Sequence, residues 1–261
     1  MGRNAAWTLE VIDATGANLF KLTRVLAAEA DRNAGPARVH ESRRWTVVRS
    51  IKKVREVLPL ASTYDETLAG LGRHTRRNIR GARKTAAAKG FSFDVSTAGP
   101  APEPPVLTAL ARKAQEFAVP GRLMTRFETY ADLTGRPFRS VVRAADGRIV
   151  SYACGYLGDP HTAYLLYQLN DPDWNAIGPS LLQRAYLMEW LIDSGCRELV
   201  IVHGCTGVLR HSCLPQALEQ FWFMRRSPAA YVSAGAISLA KPDASIGRLA
   251  RLALASRLGR L

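Results

Sequence analysis

Three consecutive residues, Gly178, Pro179 and Ser180, have the types and spacing of a helix start that can bind an anion. Proline suits the first helical position, and a glycine before it lets the chain turn closely. The N–H groups of Ser180, Leu181 and Leu182 then point out of the helix, where a phosphate gains from both the donors and the helix dipole. The pattern therefore predicts a phosphate site, although an ordinary helix cap uses the same residues.

A second group of residues with chemical potential follows the apolar run ELVIV, residues 198 to 202, which predicts a buried strand. His203 comes directly after it, and an imidazole with a pKa of about 6.5 suits a general base at neutral pH. A hydrogen-bonded structural histidine fits the position equally well. Arg210 is a candidate contact to phosphate or acceptor, with a solvated surface residue as the alternative.

The four cysteines, Cys154, Cys196, Cys205 and Cys213, lack the CxxC spacing of a zinc site and are too few for a disulfide framework. Buried free thiols are the expectation, and no metal site is predicted. Cys205 has no recognisable partner constellation, so a nucleophilic role is not predicted.

The elements that position these residues form a distinctive order. Three strands are predicted at 138–144, 149–157 and 162–169, joined by the turn sequences at 146–147 and 158–160. A helix over 179–194 ends at Gly195, and the strand 198–202, a helix after Pro215 and a strand near 221–233 follow. This order predicts one mixed α/β domain.

The N-terminal part reads as a separate α/β unit. It has a predicted strand at 7–12, a helix at 18–30 with leucines at helical spacing, and a β-branched stretch at 45–51. A long helix is expected over 65–89. The predicted organisation is an N-terminal unit (1–63), a basic connecting helix (64–90), a catalytic domain (91–240) and a basic C-terminal tail or helix (241–261).

The net charge of +14 is concentrated in two segments. Residues 42–93 carry thirteen Lys/Arg against three Asp/Glu, and residues 241–261 carry five against one, so a polyanionic partner is favoured. On a helical wheel, six basic side chains fall within an arc of about 120°. We predict that they bind an anionic acceptor or carrier: Arg73, Arg76, Arg77, Arg80, Arg83 and Lys84.

No secretory leader pattern and no run of about 18 apolar residues is visible, so the sequence predicts a cytoplasmic protein without a transmembrane segment. A membrane anchor at 246–261 is poorly supported, because Arg and Leu alternate on all sides of the wheel.

Three runs, taken in order, resemble the GNAT acyltransferases, and more narrowly the CelD/BcsL-type branch related to FemAB transferases. They are HTRRNIRGARK (74–84), YQLNDPDWNAIGPSLLQ (167–183) and ELVIVHG (198–204). The resemblance implies an α/β fold with a mixed, mostly antiparallel sheet flanked by helices. It also implies that strand 162–169 splays from strand 198–202, with the pantetheine arm of acetyl-CoA or a longer acyl-CoA between them. The usual (Gln/Arg)xxGx(Gly/Ala) signature is replaced by Asn175-Ala-Ile-Gly178-Pro-Ser180.

On this resemblance, the predicted reaction is direct attack of an amine or hydroxyl on the acyl-CoA thioester. His203 is the expected base, and Tyr167 marks the strand whose N–H groups polarise the carbonyl. The tyrosine that many GNAT enzymes use to protonate the thiolate is missing from residues 214–222. The residues expected to bind the donor are Leu169, Asn170, Gly178, Ser180, Leu181, Leu182 and Arg210.

Two other functions stay open from the sequence. One is a FemAB-like transferase that takes its acyl group from aminoacyl-tRNA, with the basic helix on RNA. The other is a non-catalytic RNA- or membrane-binding protein on a degenerate GNAT scaffold. The salt dependence of binding distinguishes nucleic-acid binding from the acyl-CoA-dependent reaction. Each phosphate neutralised on duplex nucleic acid contributes about −0.9 to the slope of the logarithm of the binding constant against the logarithm of the salt concentration.

Overall fold

The structure is a computed structural model. It describes residues 19–25, 38–41, 45–98, 104–113, 121–134, 136–158, 161–202, 205 and 207–225. The chain divides into two units, one formed by Met1–Val54 with Pro215–Leu261 and the other by Arg55–Leu214. The candidate site residues that are described all belong to the second unit.

In the first unit, β1 (Leu19–Val25) pairs antiparallel with β9 (Leu214–Arg225), and β2 (Arg38–Glu41) pairs antiparallel with the first part of β3 (Trp45–Pro59). The predicted helices at 18–30 and after Pro215 are therefore wrong. The two segments form backbone hydrogen bonds with each other as neighbouring strands, although about 200 residues of sequence separate them. Local periodicity cannot reveal a partner so distant in the sequence. The predicted strand at 7–12 lies outside the described residues.

The second unit holds a six-strand sheet in the order β3-β8-β7-β6-β5-β4, in which β3 contributes its last residues. The other strands are β4 (Ser92–Ser96), β5 (Pro137–Arg143), β6 (Ile149–Leu157), β7 (Thr162–Asn170) and β8 (Glu198–Ile201). All neighbours are antiparallel except β7 and β8, which are parallel. The predicted fold class, a mixed and mostly antiparallel sheet with helices, is confirmed.

Five helices accompany this sheet in the described part of the unit. They are α1 (Tyr64–Gly70), α2 (Arg73–Ala88), α3 (Pro104–Lys113), α4 (Gly121–Leu133) and α5 (Pro179–Asp193). A 3₁₀ segment, Pro172–Ile177, leads into α5, and a second, Val208–Ser212, precedes β9.

The single helix predicted over 65–89 is wrong, because the chain breaks between α1 and α2. Leu71 and Gly72 are extended, with ψ of 155° and 147°. The Arg76 guanidinium stabilises the break by donating to the carbonyl oxygens of Ala69 (2.7 Å) and Leu71 (2.6 Å), which lie at the end of α1. The basic part of the predicted helix is α2.

The core of the second unit lies between the sheet and α5, with α1 and α2 packed over it. Its fully buried members include Leu58, Ile79, Leu187, Met188 and Leu199. The opposite face of the sheet carries α4, whose Tyr130 packs edge-on against Tyr156 of β6. Helices therefore cover both faces of the sheet, and β7 supplies side chains to each.

Candidate active site

The strands β7 and β8 part in the middle of β7. Their parallel pairing covers only Thr162–Leu165 and Glu198–Ile201, and the last link is the Val202 N–H bond to the Leu165 carbonyl oxygen at 3.1 Å. β7 continues to Asn170, and along this continuation no described strand pairs with its β8-facing edge. The sheet is thus open beside the second half of β7.

A β-bulge lies where the strands part. Cys154 of β6 faces Tyr167, but its neighbour Gly155 faces Leu165, so Leu166 has no partner on β6. A bulge bends its strand and increases the local twist. It also explains why Tyr164 and Tyr167, three residues apart, both lie on the α4 side: Tyr164 stacks on Tyr156, and Tyr167 stacks on Phe127.

The backbone groups that face the opening follow from strand alternation. Asp171 N–H donates to the Val150 carbonyl at 2.9 Å, and the Leu169 carbonyl accepts from Ser151 Oγ at 3.2 Å, so both face β6. Successive residues alternate between the two edges of a strand, which turns the N–H groups of Gln168 and Asn170 toward the opening.

Helix α5 starts beside this opening, as its link to β7 shows. Gln168 Nε2 donates to the Ser180 carbonyl at 3.2 Å. Gly178 adopts a left-handed conformation, with φ of 65° and ψ of 59°, and Pro179 occupies the first helical position. A Cβ at Gly178 would meet nothing within 4 Å, so the glycine meets the need for positive φ and borders open space.

The N–H groups of the first turn are not equivalent. Those of Leu181 and Leu182 both donate to the Gly178 carbonyl at 3.0 Å. Within the described residues the Ser180 N–H has no acceptor, so it is the donor that α5 offers to an anion. The acidic 3₁₀ segment before α5 is partly neutralised, because Lys113 Nζ lies 2.8 Å from Asp171 Oδ1 and also contacts Asp173.

Tyr167 belongs to a buried polar network on the α4 side that the sequence did not reveal. Its hydroxyl donates to Glu128 Oε1 at 2.5 Å, as does the Tyr152 hydroxyl at 2.6 Å. Arg139 donates to Glu128 Oε2 at 2.7 Å and to Asp132 at 2.5 Å. Burial, together with the nearby Tyr152 and Glu128, raises the pKa of the Tyr167 hydroxyl above its ordinary value, so it stays protonated.

A second network, also missed from the sequence, lies on the α5 side. Arg184 Nε donates to Gln168 Oε1 at 3.0 Å, and its Nη1 lies 3.6 Å from Cys205 Sγ. Gln168 in turn bonds the Ser180 carbonyl and the Asn170 side chain. The only sequence signal was an arginine within the apolar run of α5.

The remaining predicted site residues are placed as follows. His203 lies outside the described residues. Arg210 is exposed on the second 3₁₀ segment, and Leu169 is buried with its carbonyl toward β6. All four cysteines are buried thiols rather than members of a disulfide, as expected. Among the described residues no cluster of His, Cys, Asp or Glu is suited to a metal ion.

The six basic residues of α2 divide into two sets. Arg76 caps α1, and the Arg83 guanidinium lies over the rings of Tyr64 (4.9 Å) and Tyr186 (4.7 Å) and pairs with Glu189 at 2.7 Å. The other four are exposed and form no ion pair with any described residue; we call them the basic stripe: Arg73, Arg77, Arg80 and Lys84. A cavity of about 1020 Å³ borders this face of α2.

Comparison with known families identifies the class of protein. The family model described as an acetyltransferase (GNAT) domain matches residues 73–206, which is slightly more than half of the chain. The chain therefore belongs to the GNAT acetyltransferase family. The match includes the basic stripe, both polar networks and the opening between β7 and β8.

Several solved structures are similar to this chain at low identity. They include L-PGS from Bacillus licheniformis (11% identity, covering 73% of this chain and 66% of that chain, TM-score 0.46). The C-terminal DUF2156 domain of a putative lysylphosphatidylglycerol synthetase from Agrobacterium fabrum (12%, 89% and 76%, 0.47) and FemX (11%, 87% and 77%, 0.46) are two others. These identities are too low to transfer an activity. No curated protein matches the sequence. Among the described helices, none is long and apolar enough to cross a membrane.

Proposed function

We propose that this chain transfers an acyl group from acetyl-CoA or a longer acyl-CoA to an amine or hydroxyl acceptor, by direct attack on the thioester. The observation that carries the proposal is the parting of β7 from β8 beyond Leu165 and Val202, beside the Gly178-capped start of α5. One opening thereby brings free strand amides and a helix N-terminus together, as an extended thioester with a phosphate end requires.

For the donor, we propose that the Ser180 N–H and the α5 dipole hold the phosphates. The N–H groups of Leu181 and Leu182 are already bonded to the Gly178 carbonyl, so these residues contribute only through the positive end of the helix dipole. The exposed Arg210 contributes a positive charge. The N–H groups of Gln168 and Asn170 hold the thioester arm along β7. The bound thioester supplies an activated acyl carbon, and these residues align it.

For the acceptor, we propose that Tyr167 orients the nucleophile. Its proton is committed to Glu128, but the oxygen keeps a lone pair that accepts a hydrogen bond from an amine or hydroxyl. We retain His203 as the proposed general base. The CelD/BcsL-type branch and a cytoplasmic location also stay predictions from the sequence.

The donor site is tested by deleting one N–H. Ser180→Pro removes it within the first helical turn, where proline is tolerated, and α3 of this chain itself begins with Pro104-Pro105. We expect acetyl-CoA affinity, measured by calorimetry, to fall about tenfold or more, since hydrogen bonds to charged groups contribute about 1.5–3 kcal/mol. The matched control, Ser180→Ala, keeps the N–H and should bind within a factor of about three.

Equal affinity in both variants places the phosphates elsewhere. If the unmodified protein binds neither acetyl-CoA nor longer acyl-CoAs but turns over aminoacyl-tRNA, the donor assignment is overturned. Circular dichroism melting of Ser180→Pro establishes that the variant is folded.

We further propose that the basic stripe recruits an anionic acceptor or carrier, while Arg76 and Arg83 hold α2 in place. Arg77→Glu with Arg80→Glu should raise the acceptor KM and flatten its dependence on salt, with acyl-CoA affinity unchanged. The acceptor is first found by screening anionic, neutral and cationic amines. Arg136→Glu with Arg197→Glu, two exposed residues in the loops before β5 and β8, makes the same change in net charge and is the control. An equal effect of both pairs would make the stripe a solvated surface.

A further inference from the structure

The start of α5 offers a bound anion one free backbone donor. The N–H groups of Leu181 and Leu182 both donate to the Gly178 carbonyl, and the Ser180 N–H has no acceptor among the described residues. A helix N-terminus favours a negative charge, and its N–H groups bind the oxygens of that anion. A pyrophosphate presents two phosphate groups to such a terminus, whereas a phosphodiester presents one. The first turn of α5 therefore matches a single phosphate better than a pyrophosphate.

A buried cation lies beside the same turn. Arg184 is 8% exposed, and its Nε donates to Gln168 Oε1 at 3.0 Å, while Gln168 Nε2 donates to the Ser180 carbonyl at 3.2 Å. Its Nη1 lies 3.6 Å from Cys205 Sγ, so Arg184 contacts both β7 and the segment that follows β8. No Asp or Glu of the described residues pairs with it. Because a buried charge is costly without a counter-ion, Arg184 and the Ser180 N–H together suit one anionic group.

The basic stripe is a linear feature of the helix that packs against α5. Its four residues follow one another at intervals of four, three and four, so they lie on one face of α2 over about 16 Å. They are exposed and form no ion pair with any described residue. An acidic helix lying along α2 can place carboxylates opposite them, because its own side chains repeat at the same intervals. The stripe therefore suits an acidic helical protein surface.

Helix α2 also contacts the two segments that flank the opening. Near its start, Thr75 Oγ1 donates to the Val208 carbonyl at 3.5 Å, in the 3₁₀ segment that follows β8. Directly after its end, Lys89 Nζ lies 6.0 Å from the centre of the Trp174 ring, in the 3₁₀ segment that leads into α5. The salt bridge from Arg83 joins α2 to α5 between these points. The stripe is therefore held in a fixed position relative to the opening.

We infer that the acyl donor is an acidic carrier protein whose acyl group is attached to a phosphopantetheine arm. The carrier lies along the basic stripe, and the arm enters the opening with its single phosphodiester at Ser180 and Arg184. This inference rests on the proposed acyl transfer and selects the carrier as the anionic partner of the stripe. Coenzyme A has the same arm but adds a second phosphate and a nucleotide, for which the first turn of α5 has no further free N–H among the described residues.

The transfer step is the same for a carrier-bound and a free thioester. The nitrogen or oxygen of the acceptor forms a bond to the acyl carbon, and the C–S bond breaks. The proton that the nucleophile loses ends on the thiol of the arm, which leaves with the carrier. The N–H groups of Gln168 and Asn170 bind the arm in both cases, so acetyl-CoA also binds.

The single-phosphate site is tested by calorimetry with three thioesters. They are S-acetylpantetheine, the methyl phosphodiester of S-acetylphosphopantetheine, which copies the linkage to a carrier, and acetyl-CoA. We expect the diester to bind about tenfold or more tightly than S-acetylpantetheine, and within a factor of about three of acetyl-CoA. An acetyl-CoA affinity above that range shows a separate site for the nucleotide end and overturns the inference.

Arg184→Met tests the buried cation. It should lower the affinity for the diester about tenfold or more and leave the affinity for S-acetylpantetheine within a factor of about three. Arg184→Lys keeps the charge and should recover part of the lost affinity. An equal loss for both ligands would mean that Arg184 supports the opening without binding the phosphate, which overturns its role. Circular dichroism melting establishes that both variants are folded.

The stripe is tested with an acetylated acyl carrier protein, a small acidic protein, because attraction between opposite charges does not require a cognate sequence. At low salt the carrier should bind about tenfold or more tightly than the free diester, since the stripe and the arm site act together. Arg77→Glu with Arg80→Glu should remove this difference and leave binding of the free diester unchanged. The control pair, Arg136→Glu with Arg197→Glu, should retain most of it.

A carrier that binds no more tightly than the free diester, or an equal loss in both pairs of variants, overturns docking on the stripe. Homopolymeric RNA that binds the stripe while the carrier does not overturns it as well. If the unmodified protein binds none of the three thioesters, the proposed acyl transfer itself fails. Binding of all three with equal affinity overturns the phosphate site and leaves the acyl transfer standing.

Discussion

Two buried arginines, one on each face of the sheet, have opposite surroundings. Arg139 is 3% exposed and is bound by two carboxylates, Glu128 and Asp132. Burial alone would lower the pKa of its guanidinium, but these carboxylates raise it above the ordinary value. Arg184 is bound by an amide and a thiol, and its pKa is lowered. The comparison separates a charge-balanced network from one that depends on the ionisation of a cysteine.

The balanced network lies beneath Tyr167, and the unbalanced one beneath Gln168. A rigid, fully bonded network suits a side chain that must hold a fixed orientation. A network whose charge depends on one thiol can change state, which suits a contact to the helix start that binds the donor. Tyr167 and Gln168, neighbours on β7, therefore contact two different networks, one with a fixed charge and one whose charge can change.

The largest expected effect is the loss of Arg139. Arg139→Met leaves the Glu128 carboxylate buried with two tyrosine hydroxyls and no cation, and removing one partner of a buried ion pair costs about 3–5 kcal/mol. Urea unfolding should report this loss of the free energy of unfolding. Asp132→Asn is the control, since that side chain is 56% exposed and its pair contributes about 0–1 kcal/mol. Equal losses in the two variants would remove Glu128 from its central place in the network.

A smaller effect is expected from pH. The folded protein holds the pKa of the Cys205 thiol at about 7, below its ordinary value of 9.0. Between these two values the unfolded chain binds more protons, so the free energy of unfolding rises with pH from about 7 to about 9. It is lost again as pH falls through the folded pKa. The difference between the unmodified protein and Cys205→Ser should grow over this window by on the order of 1–2 kcal/mol. A constant difference would mean that Cys205 is protonated in the folded state.

The smallest effect is expected from Arg184→Met. At a pH below the pKa of Cys205, about 7, Arg184 has no anionic partner among the described residues. Replacing it there by an apolar side chain of similar length should change the free energy of unfolding by less than about 1 kcal/mol, in either direction. The same urea titration used for Arg139→Met measures it. A loss as large as that of Arg139→Met would place a carboxylate partner of Arg184 outside the described residues, and the contrast between the two arginines would disappear.

The sequence predicted the parts of the fold that local chemistry determines. The hairpins from β5 to β7 follow from three successive strand-like segments separated by turn residues, and α5 ends before Gly195, which has φ of 84°. The pairing of β1 with β9 could not be predicted, because its two strands are far apart in sequence and their leucine spacing imitates a helix. The break at Leu71 depends on a side chain, Arg76, that reaches back from the next helix.

The candidate site was predicted in the same uneven way. The helix start at Gly178 is a local pattern and was visible, although the sequence alone did not separate the Ser180 N–H from those of Leu181 and Leu182. Glu128, Arg139 and Arg184 were missed because their partners come from other elements. Arg83 looked like its neighbours on the helical wheel, but its guanidinium lies over two aromatic rings.

The bulge at Leu166 has a consequence for comparing this strand with those of relatives. It adds one residue to β7 without a partner on β6. Tyr167 and Gln168 therefore lie on the same faces of the sheet as they would in a regular strand from which Leu166 had been deleted. A relative one residue shorter here would keep the phenol and the amide on the same sides and lose only the bend. Deleting Leu166 thus changes the curvature of the strand without changing which side chains face each network. A one-residue gap at this position in an alignment leaves the side-chain positions of both networks unchanged.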